Sequence, residues 1–405
     1  MDRLIPRESY MEWLEAFRDK PLVKVLTGMR RVGKSTCLRM FAERLRERGV
    51  SKRQIVVVNF EEIENDELLE SRKLYAYLKS RLIAGKTVYF FLDEIQRVAR
   101  FEEVLDSLHV KKGVDLYVTG SNARMFSSEI ATILTGRYVE LNVLPFSYSE
   151  VVALLPGADD AHKFAGYLTY GALPEAFAFP AGSYEQRQYV ESVYNTVLAK
   201  DVLKRNAAGG RILVDAILRY MIDNIGNLTS AKRIADRLCA NGTKVCANTV
   251  QSYLEILCDC YFLYKADRFD VVGGENLKLI NKYYLTDFSF KYHMLGNPTI
   301  EVQQLLENAV FLELVRRRYK VATGRVRDKE VDFVIQDGHG RIRYVQVAVT
   351  VSTAEKLSQE LAALKAIRDN RPKYILTLDS LFVEDHEGIK TLGVLDFLTG
   401  RVDLA

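Results

Sequence analysis

The sequence predicts an α/β protein whose N-terminal part is a doubly wound parallel sheet. Three observations predict this fold class. Short apolar runs alternate with helical stretches over the first 146 residues, as in parallel sheets that helices cover on both faces. A glycine-rich turn joins the first apolar run to a helix, and a later apolar run ends in two adjacent acids. With 405 residues, the chain is long enough for roughly two to four domains.

The first predicted strand, residues 23–27, leads through a glycine-rich turn into a predicted helix. The turn has the pattern Gly-x-x-x-x-Gly-Lys-Ser, which is the pattern of a phosphate-binding P-loop. Its glycines permit a tight turn whose backbone N–H groups surround an anion at the positive end of a helix. We therefore expect ATP to bind at one continuous segment of the chain. Its residues are Gly28, Met29, Arg30, Arg31, Val32, Gly33, Lys34, Ser35 and Thr36.

Two side chains of this loop have expected roles in ATP binding. Lys34 is expected to reach the β- and γ-phosphates, because its ammonium group is the charge partner of the triphosphate in P-loops. The Ser35 hydroxyl is expected to ligate Mg²⁺. A glycine loop without a ligand is the alternative, and the flanking strand and helix argue against it.

A second acidic element supports this expectation. Residues 87–92 form a continuous apolar run, typical of a strand buried on both faces, and the run ends in Asp93 and Glu94. At the carboxyl end of such a strand, Asp93 would hold Mg²⁺ through water and Glu94 would orient the attacking water. The alternative is that both acids cap a helix that begins at Ile95.

Three further strands complete the predicted sheet. Residues 54–60 form one strand, and residues 138–144 form the last strand before Pro145. Residues 114–119 form another, and Ser121 and Asn122 follow it as candidates for sensing the γ-phosphate. The predicted sheet therefore places polar side chains after three of its strands.

Composition limits the cellular setting. Five cysteines, with no C-x-x-C pair, argue against a disulfide framework and a zinc ribbon. No apolar run approaches the length of a membrane span, and the first residues lack the apolar centre of a signal peptide. We expect a cytoplasmic protein with no membrane association. The net charge of +4 permits contact with an acidic polymer without requiring it.

Beyond residue 146 the pattern becomes helical. Residues 147–206 are predicted to form a helical lid, and residues 207–297 contain three helices followed by a hairpin, the order of a winged helix. The third helix exposes polar groups that can touch base edges or phosphates, which makes DNA an expected partner. These residues are Asn248, Thr249, Gln251 and Ser252. This helix contains no arginine or lysine, and winged helices also connect proteins, so a protein partner is the open alternative.

Together these motifs resemble the prokaryotic AAA-type ATPases that carry a C-terminal domain related to the PD-(D/E)xK nuclease fold. The resemblance covers nearly the whole chain, and the later motifs are the more particular ones. The motifs lie at residues 27–36, 91–96, 119–122, 134–137, 170–175 and 329–333. The resemblance implies a P-loop NTPase parallel sheet with a helical lid, then a winged helix, then a PD-(D/E)xK-like α/β domain. The implied domains are the ATPase core at 1–146, the lid at 147–206, the winged helix at 207–297 and the nuclease-like domain at 298–405.

The resemblance also implies that the site is completed by oligomerisation. AAA-type sites usually receive an arginine from a neighbouring subunit, and Arg137 stands at a suitable position after the third motif. A homo-oligomer is therefore expected, with Arg137 as a catalytic residue. The open alternative is that Arg137 pairs with a local acid such as Glu140 or faces solvent.

The last domain departs from a nuclease at the positions that perform the chemistry. Glu307 and Asp332 fit the first two acidic positions of that fold. The third position, an acid followed after one residue by lysine, is here Gln346 and Ala348. Arg343 alternates away from them on the same strand, so the strand pattern predicts no cation nearby. We expect the fold without DNA cleavage.

Three functions are compatible with these patterns. The first is an ATP-hydrolysing AAA-type ATPase that acts on or near DNA through its C-terminal modules. The second is a signalling ATPase whose C-terminal modules bind protein partners. The third is an ATP-dependent metal nuclease, which Gln346 and Ala348 argue against.

Overall fold

The computed structural model describes residues 5–122, 134, 136–155, 157, 160–203, 210–296, 301–379 and 383–404, and for residues 276–279 it describes the backbone only. The chain divides into two compact units. The first comprises Met1–Leu144 with Asp259–Tyr261, and the second comprises Pro145–Cys258 and Phe262–Ala405. Within the described residues, we find no helix with the length and apolar character of a membrane span.

The first unit is built on a parallel five-stranded sheet with the strand order β2-β3-β4-β1-β5. This order confirms the parallel sheet predicted from the sequence. Strands β1 and β3 are buried along their whole length, which explains why β3 is apolar up to Asp93 and why β1 is apolar apart from Lys24 and Thr27. The strands are β1 (Val23–Thr27), β2 (Ile55–Asn59), β3 (Val88–Asp93), β4 (Val114–Thr119) and β5 (Tyr138–Asn142).

Helices pack against this sheet and bury one apolar face each. On α4, for example, Phe101, Val104, Leu105 and Leu108 recur at helical spacing and enter the core beside β3 and β4. The helices are α1 (Glu8–Ala16), α2 (Lys34–Glu47), α3 (Ser71–Ser80) and α4 (Phe101–His109). Short 3-10 turns occur at Lys52–Gln54, Ile63–Leu69 and Ile95–Arg97.

The second unit begins with helices. Helix α5 (Tyr148–Leu154) starts in the predicted capping box, because the Ser147 hydroxyl accepts the N–H of Glu150 and the Glu150 carboxylate accepts the N–H of Ser147. The other helices are α6 (Asp160–Tyr170), α7 (Tyr184–Thr196), α8 (Gly210–Asp223), α9 (Ala231–Ala240), α10 (Ala247–Asp259), α11 (Ser289–Leu295), α12 (Val302–Arg316), α13 (Ala354–Lys365) and α14 (Val394–Thr399). A 3-10 turn lies at Pro174–Ala178, and α7 continues as a π-helix at Val197–Val202.

A mixed eight-stranded sheet forms the rest of the second unit, in the order β12-β13-β11-β10-β9-β8-β6-β7. Its apolar core lies between β8 to β11 and helix α13. The strands are β6 (Leu263–Asp270), β7 (Glu275–Leu285), β8 (Lys320–Val326), β9 (Lys329–Gln336), β10 (Ile342–Ala348), β11 (Lys373–Thr377), β12 (Glu384–His386) and β13 (Ile389–Gly393).

The hairpin predicted as the wing of a winged helix is part of this larger sheet. Strands β6 and β7 pair antiparallel as predicted, but β6 also pairs in parallel with β8 of the C-terminal region. The alternation of apolar and polar residues along a strand shows which face is buried. It does not show which other strand pairs with its edge. The predicted boundaries at 206/207 and 297/298 lie outside the described residues. The winged-helix and nuclease-like assignments therefore remain predictions.

A buried carboxylate explains the motif at residues 170–175. Asp287 accepts the N–H of Ala172 at 2.7 Å, and its other oxygen accepts the N–H of Ser289 at 3.0 Å. Gly171 has a φ of 76°, and a Cβ atom there would lie 2.0 Å from the Asp287 carboxylate. The glycine is required because the loop lies directly on this carboxylate.

Candidate nucleotide-binding site

The glycine-rich loop after β1 adopts the conformation that its glycines permit. Gly28, Arg31 and Gly33 have φ values of 137°, 70° and 96°, and α2 begins directly after Gly33. A Cβ atom on Gly28 would lie 2.3 Å from the carbonyl oxygen of Val143. Only glycine therefore fits where the loop crosses the end of β5.

Apolar loop residues hold the loop against the core of the first unit. Met29 and Val32 are completely buried, so they can reach a ligand only through their backbone groups. The guanidinium of Arg7 donates to the carbonyl of Val32 at 3.0 Å and to the carbonyl of Leu144 at 2.8 Å. Sequence reasoning did not identify Arg7, since no motif connects it with a loop 25 residues away.

Lys34 lies at the first position of α2 and is 5% exposed. Its ammonium group donates to the carbonyls of Gly28 and Met29, both at 3.0 Å. The cation therefore spans its own loop and stands where the N–H groups at the start of α2 would meet an anion. Phosphate binding by Lys34 stays a prediction.

Three oxygen-bearing side chains meet across the sheet edge beside the loop. Asp93 ends β3 and Thr119 ends β4, the strand that lies between β3 and β1. The Thr119 hydroxyl donates to Asp93 at 2.5 Å, and Ser35 lies on the phosphate-loop side of the same carboxylate. Burial raises the pKa of Asp93 above its ordinary value, and the nearby hydroxyls of Thr119 and Ser35 oppose that shift.

The donor set of this cluster suits Mg²⁺. The ion prefers hard oxygen ligands, and it usually keeps several waters while binding one or two carboxylates. Ser35 is close enough to Asp93 to lower the pKa of that carboxyl, so the two groups expected as ligands lie near each other. The residues present therefore fit the ion expected from the sequence.

Glu94 is held next to this cluster in a left-handed backbone conformation with φ 56°. Its N–H donates to the Thr119 hydroxyl at 2.8 Å, and its carboxylate accepts a hydrogen bond from the side chain of Gln96. The Arg30 guanidinium lies 4.0 Å from the same carboxylate and 3.4 Å from Glu61. Glu94 makes no side-chain cap to the short 3-10 turn that follows, so its contacts differ from those of a helix cap.

The remaining predicted residues lie near the cluster or on the surface. Ser121 and Asn122 follow β4 after Gly120 and are buried. The Arg137 side chain is half exposed and forms an ion pair with Asp106 at 3.0 Å. The acid that pairs with Arg137 is therefore Asp106. Glu140, the acid considered from the sequence, instead accepts hydrogen bonds from Thr27 and Tyr261 at 2.7 and 2.9 Å.

Comparisons with known protein families match two segments of the chain. Residues 20–152 match the AAA domain family, and residues 161–301 match a domain family of unknown function. An uncharacterized protein of Haemophilus influenzae is 29% identical over 401 residues, which is 98% of each chain. An uncharacterized protein of Methanocaldococcus jannaschii is 25% identical over 369 residues, or 86% of this chain and 79% of the relative.

Solved structures show only distant likeness. The ORC1 protein of Aeropyrum pernix, in complex with DNA, has a TM-score of 0.31 and 14% identity, over 78% of this chain and 95% of that one. The RuvB Holliday junction branch migration motor of Thermotoga maritima has a TM-score of 0.34 and 18% identity, over 64% and 88%. Both scores are too low to carry an argument. Residues 20–152, which hold the loop and the acidic strand end, are thus similar to the AAA domain family and carry the P-loop motif of AAA-type ATPases.

Proposed function

We propose that this protein binds and hydrolyses ATP as an AAA-type ATPase. The observation that carries the proposal is the cluster beside the phosphate loop. The Thr119 hydroxyl binds the Asp93 carboxylate and the N–H of Glu94, and Ser35 lies against Asp93. The cluster joins the phosphate loop to the acidic strand end across an intervening strand. Similarity of residues 20–152 to the AAA domain family supports the same function.

The phosphate loop supplies binding in this proposal. Backbone N–H groups of residues 28–36 surround the triphosphate, and Lys34 exchanges its two carbonyl partners for phosphate oxygens. Ser35 and Asp93 would hold Mg²⁺, which neutralises negative charge on the phosphates when it is bound. Ser121 and Asn122, buried at the end of β4, are proposed to contact the γ-phosphate side of the nucleotide.

Glu94 supplies the chemistry by accepting a proton from the attacking water. A general base must be held within hydrogen-bonding reach of that water, and its orientation must not vary. Two hydrogen bonds fix the orientation of Glu94. The Gln96 side chain donates to its carboxylate, and its own backbone N–H donates to the Thr119 hydroxyl. Arg30 lies close enough to balance its charge.

Two substitutions test the site, and each has a matched control. Lys34→Ala should abolish tight ATP binding, because the triphosphate loses its main charge partner. Glu94→Gln should bind ATP and hydrolyse it about 100-fold more slowly or worse, because only proton transfer is removed.

Binding is measured with a fluorescent ATP analogue and hydrolysis by phosphate release. Lys52→Ala and Glu64→Gln change exposed residues outside the cluster and should match the parent. Parental turnover in Glu94→Gln would remove Glu94 from the catalytic role.

We further propose that the ATPase acts on or near DNA, with residues 207–297 as the contact region. Helix α10 presents Asn248, Gln251 and Ser252 to solvent, and Lys232 and Arg233 are exposed on the neighbouring α9. Such groups suit phosphates and base edges. A signalling ATPase that uses the same surface for a protein partner is the alternative, since α10 itself carries no basic residue.

The salt dependence of binding distinguishes DNA contact from contact with a protein partner. Contacts to phosphates release counterions, so DNA affinity should fall steeply as salt rises. The double reversal Lys232→Glu with Arg233→Glu should weaken binding to all sequences similarly. The control reversal Arg72→Glu with Lys73→Glu changes an exposed basic pair on α3 and should leave binding unchanged. ATP turnover is measured with duplex, forked and single-stranded DNA. If no DNA binds even at low salt, the alternative that this surface binds a protein partner would be favoured.

A further inference from the structure

A lysine occupies the centre of the carboxylate group expected from the nuclease-like resemblance. The Lys282 ammonium lies 2.7 Å from Glu307, 2.7 Å from Glu330 and 3.8 Å from Asp332. Its side chain is only 4% exposed. The ammonium donates a hydrogen bond to Glu307 and forms a close ion pair with Glu330.

This lysine corrects the expectation that no cation is near the acids. Lys282 belongs to β7, whereas Asp332 belongs to β9, and two strands, β8 and β6, lie between them in the sheet. The prediction considered only the strand of Gln346 and Ala348, which indeed supplies no cation. A long side chain from a more distant strand fills that role, and pairing between such strands cannot be read from periodicity.

The carboxylate oxygens have further partners inside the protein. The Tyr284 hydroxyl donates to Glu307 at 2.6 Å, and the N–H of Val347 donates to Asp332 at 2.8 Å. The Gln346 side chain accepts the N–H of Asp332 at 3.3 Å. Across the described part of the chain, no set of three or more acidic, histidine or cysteine side chains is arranged to hold a metal ion.

We propose that the Lys282 ammonium is the resident cation of this carboxylate cluster and excludes divalent metal ions from it. An ion that bound between Glu307 and Asp332 would have to displace the ammonium. Lys282 would then be a buried charge without a partner, which is strongly unfavourable. The cluster is in this view an internal ion-pair network that joins β7, β9 and α12, and it has no role in cutting DNA.

The ammonium excludes metal ions from the carboxylates, which are themselves accessible from solvent. The four charged residues line an open polar cavity of about 650 Å³ together with side chains of α8 and α12. Solvent ions can therefore reach the carboxylates. The acids as they stand around the ammonium form no metal-binding set, so a site in the absence of the ammonium requires the carboxylates to close on the ion.

Mn²⁺ binding tests this proposal directly. Bound Mn²⁺ is measured by electron paramagnetic resonance on nucleotide-free full-length protein, in parallel for the parent, Asp332→Asn and Lys282→Met. Methionine keeps most of the volume of lysine and removes the charge. The control Lys265→Met removes an exposed lysine of β6 that pairs with Asp267 at 2.7 Å. Mn²⁺ bound elsewhere in the chain is the same in the parent and in Asp332→Asn. The difference in bound Mn²⁺ between the two proteins is therefore the amount held by this cluster.

The parent and Asp332→Asn should bind the same amount of Mn²⁺. Lys282→Met should bind one more ion per chain, that ion should be lost when Asp332→Asn is added, and Lys265→Met should match the parent. Mn²⁺ binding by the parent that Asp332→Asn removes would overturn the proposal, as would metal-dependent DNA nicking with the same dependence. A folded Lys282→Met protein that gains no ion would also overturn it. If Lys282→Met does not fold, the parent and Asp332→Asn comparison decides alone.

Discussion

The hydroxyl of Thr119 donates a hydrogen bond to the carboxylate of Asp93 at 2.5 Å. The Thr119 hydroxyl oxygen also accepts a hydrogen bond from the N–H of Glu94 at 2.8 Å. One side chain on β4 therefore fixes both the candidate magnesium ligand at the end of β3 and the backbone of the candidate base that follows it. The relationship depends on the sheet order, which places β4 between the phosphate-loop strand and the acidic strand.

Thr119→Val should weaken both stability and turnover. The substitution keeps the shape of the side chain and leaves a buried carboxylate oxygen and a buried N–H without their partner, at about 1–3 kcal/mol. Because Glu94 would lose its orientation, we expect ATP turnover to fall about 10- to 100-fold. Trp13, the only tryptophan, lies buried in α1 of the first unit, so its fluorescence in urea reports the unfolding of that unit.

The control for this substitution is Thr87→Val, which changes a half-buried threonine next to β3. It should leave turnover unchanged. Parental turnover in Thr119→Val would show that the Thr119 hydroxyl does not position Glu94. A fall in turnover of equal size in both variants would point to a general loss of packing instead.

The strand, loop and acid positions in the first unit could be predicted because each leaves a local pattern. Buried parallel strands are continuously apolar, and the phosphate loop has fixed glycine spacing. Thr119, Arg7 and Lys282 leave no such pattern, because their partners lie 25 or more residues away in the chain. The same limit hid the pairing of β6 with β8, which joins two regions that the sequence treats separately.

Gly28→Ala should destabilise the first unit more than its backbone angle alone requires. The new Cβ atom would lie 2.3 Å from the carbonyl oxygen of Val143 at a φ of 137°, so the loop must move away from β5. We expect a loss of about 3 kcal/mol or more in unfolding free energy, and loss of ATP-analogue binding. Gly49→Ala is the matched control, with φ 89° and nothing within 4 Å of the new atom. It should cost about 1 kcal/mol and keep binding. Equal losses would refute the clash with Val143.

Asp287 should make the stability of the second unit depend on pH. Complete burial raises the pKa of its carboxyl from 3.8 to about 6, and hydrogen bonds from Ser289 and Ala172 only partly oppose this. Because the folded protein holds this proton more tightly than the unfolded chain, the contribution is present below pH 3.8 and is lost as pH rises through about 6. The total change is about 3 kcal/mol.

Asp287→Asn isolates this contribution, since an amide does not titrate in this range. Unfolding in urea, followed by far-ultraviolet circular dichroism, gives the difference in free energy between parent and variant. That difference should shrink as pH rises from about 4 to about 7. Asp236→Asn replaces an exposed acid on α9 and should show no such trend. A difference that stays constant with pH would contradict the shifted pKa.

Arg137 should act on the nucleotide of a neighbouring subunit. Its ion pair with Asp106 is exposed on both sides, and such pairs contribute at most about 1 kcal/mol, so the arginine can leave it readily. Arg137→Ala alone should lower turnover by about 10³-fold, while Asp106→Asn should leave it near the parent level. Mixed with Lys34→Ala subunits, which hydrolyse no ATP but retain Arg137, the Arg137→Ala subunits should recover activity. Turnover is measured on assemblies purified through two different affinity tags, so that mixing is verified. If verified mixed assemblies remain inactive, Arg137 serves its own chain or only pairs with Asp106.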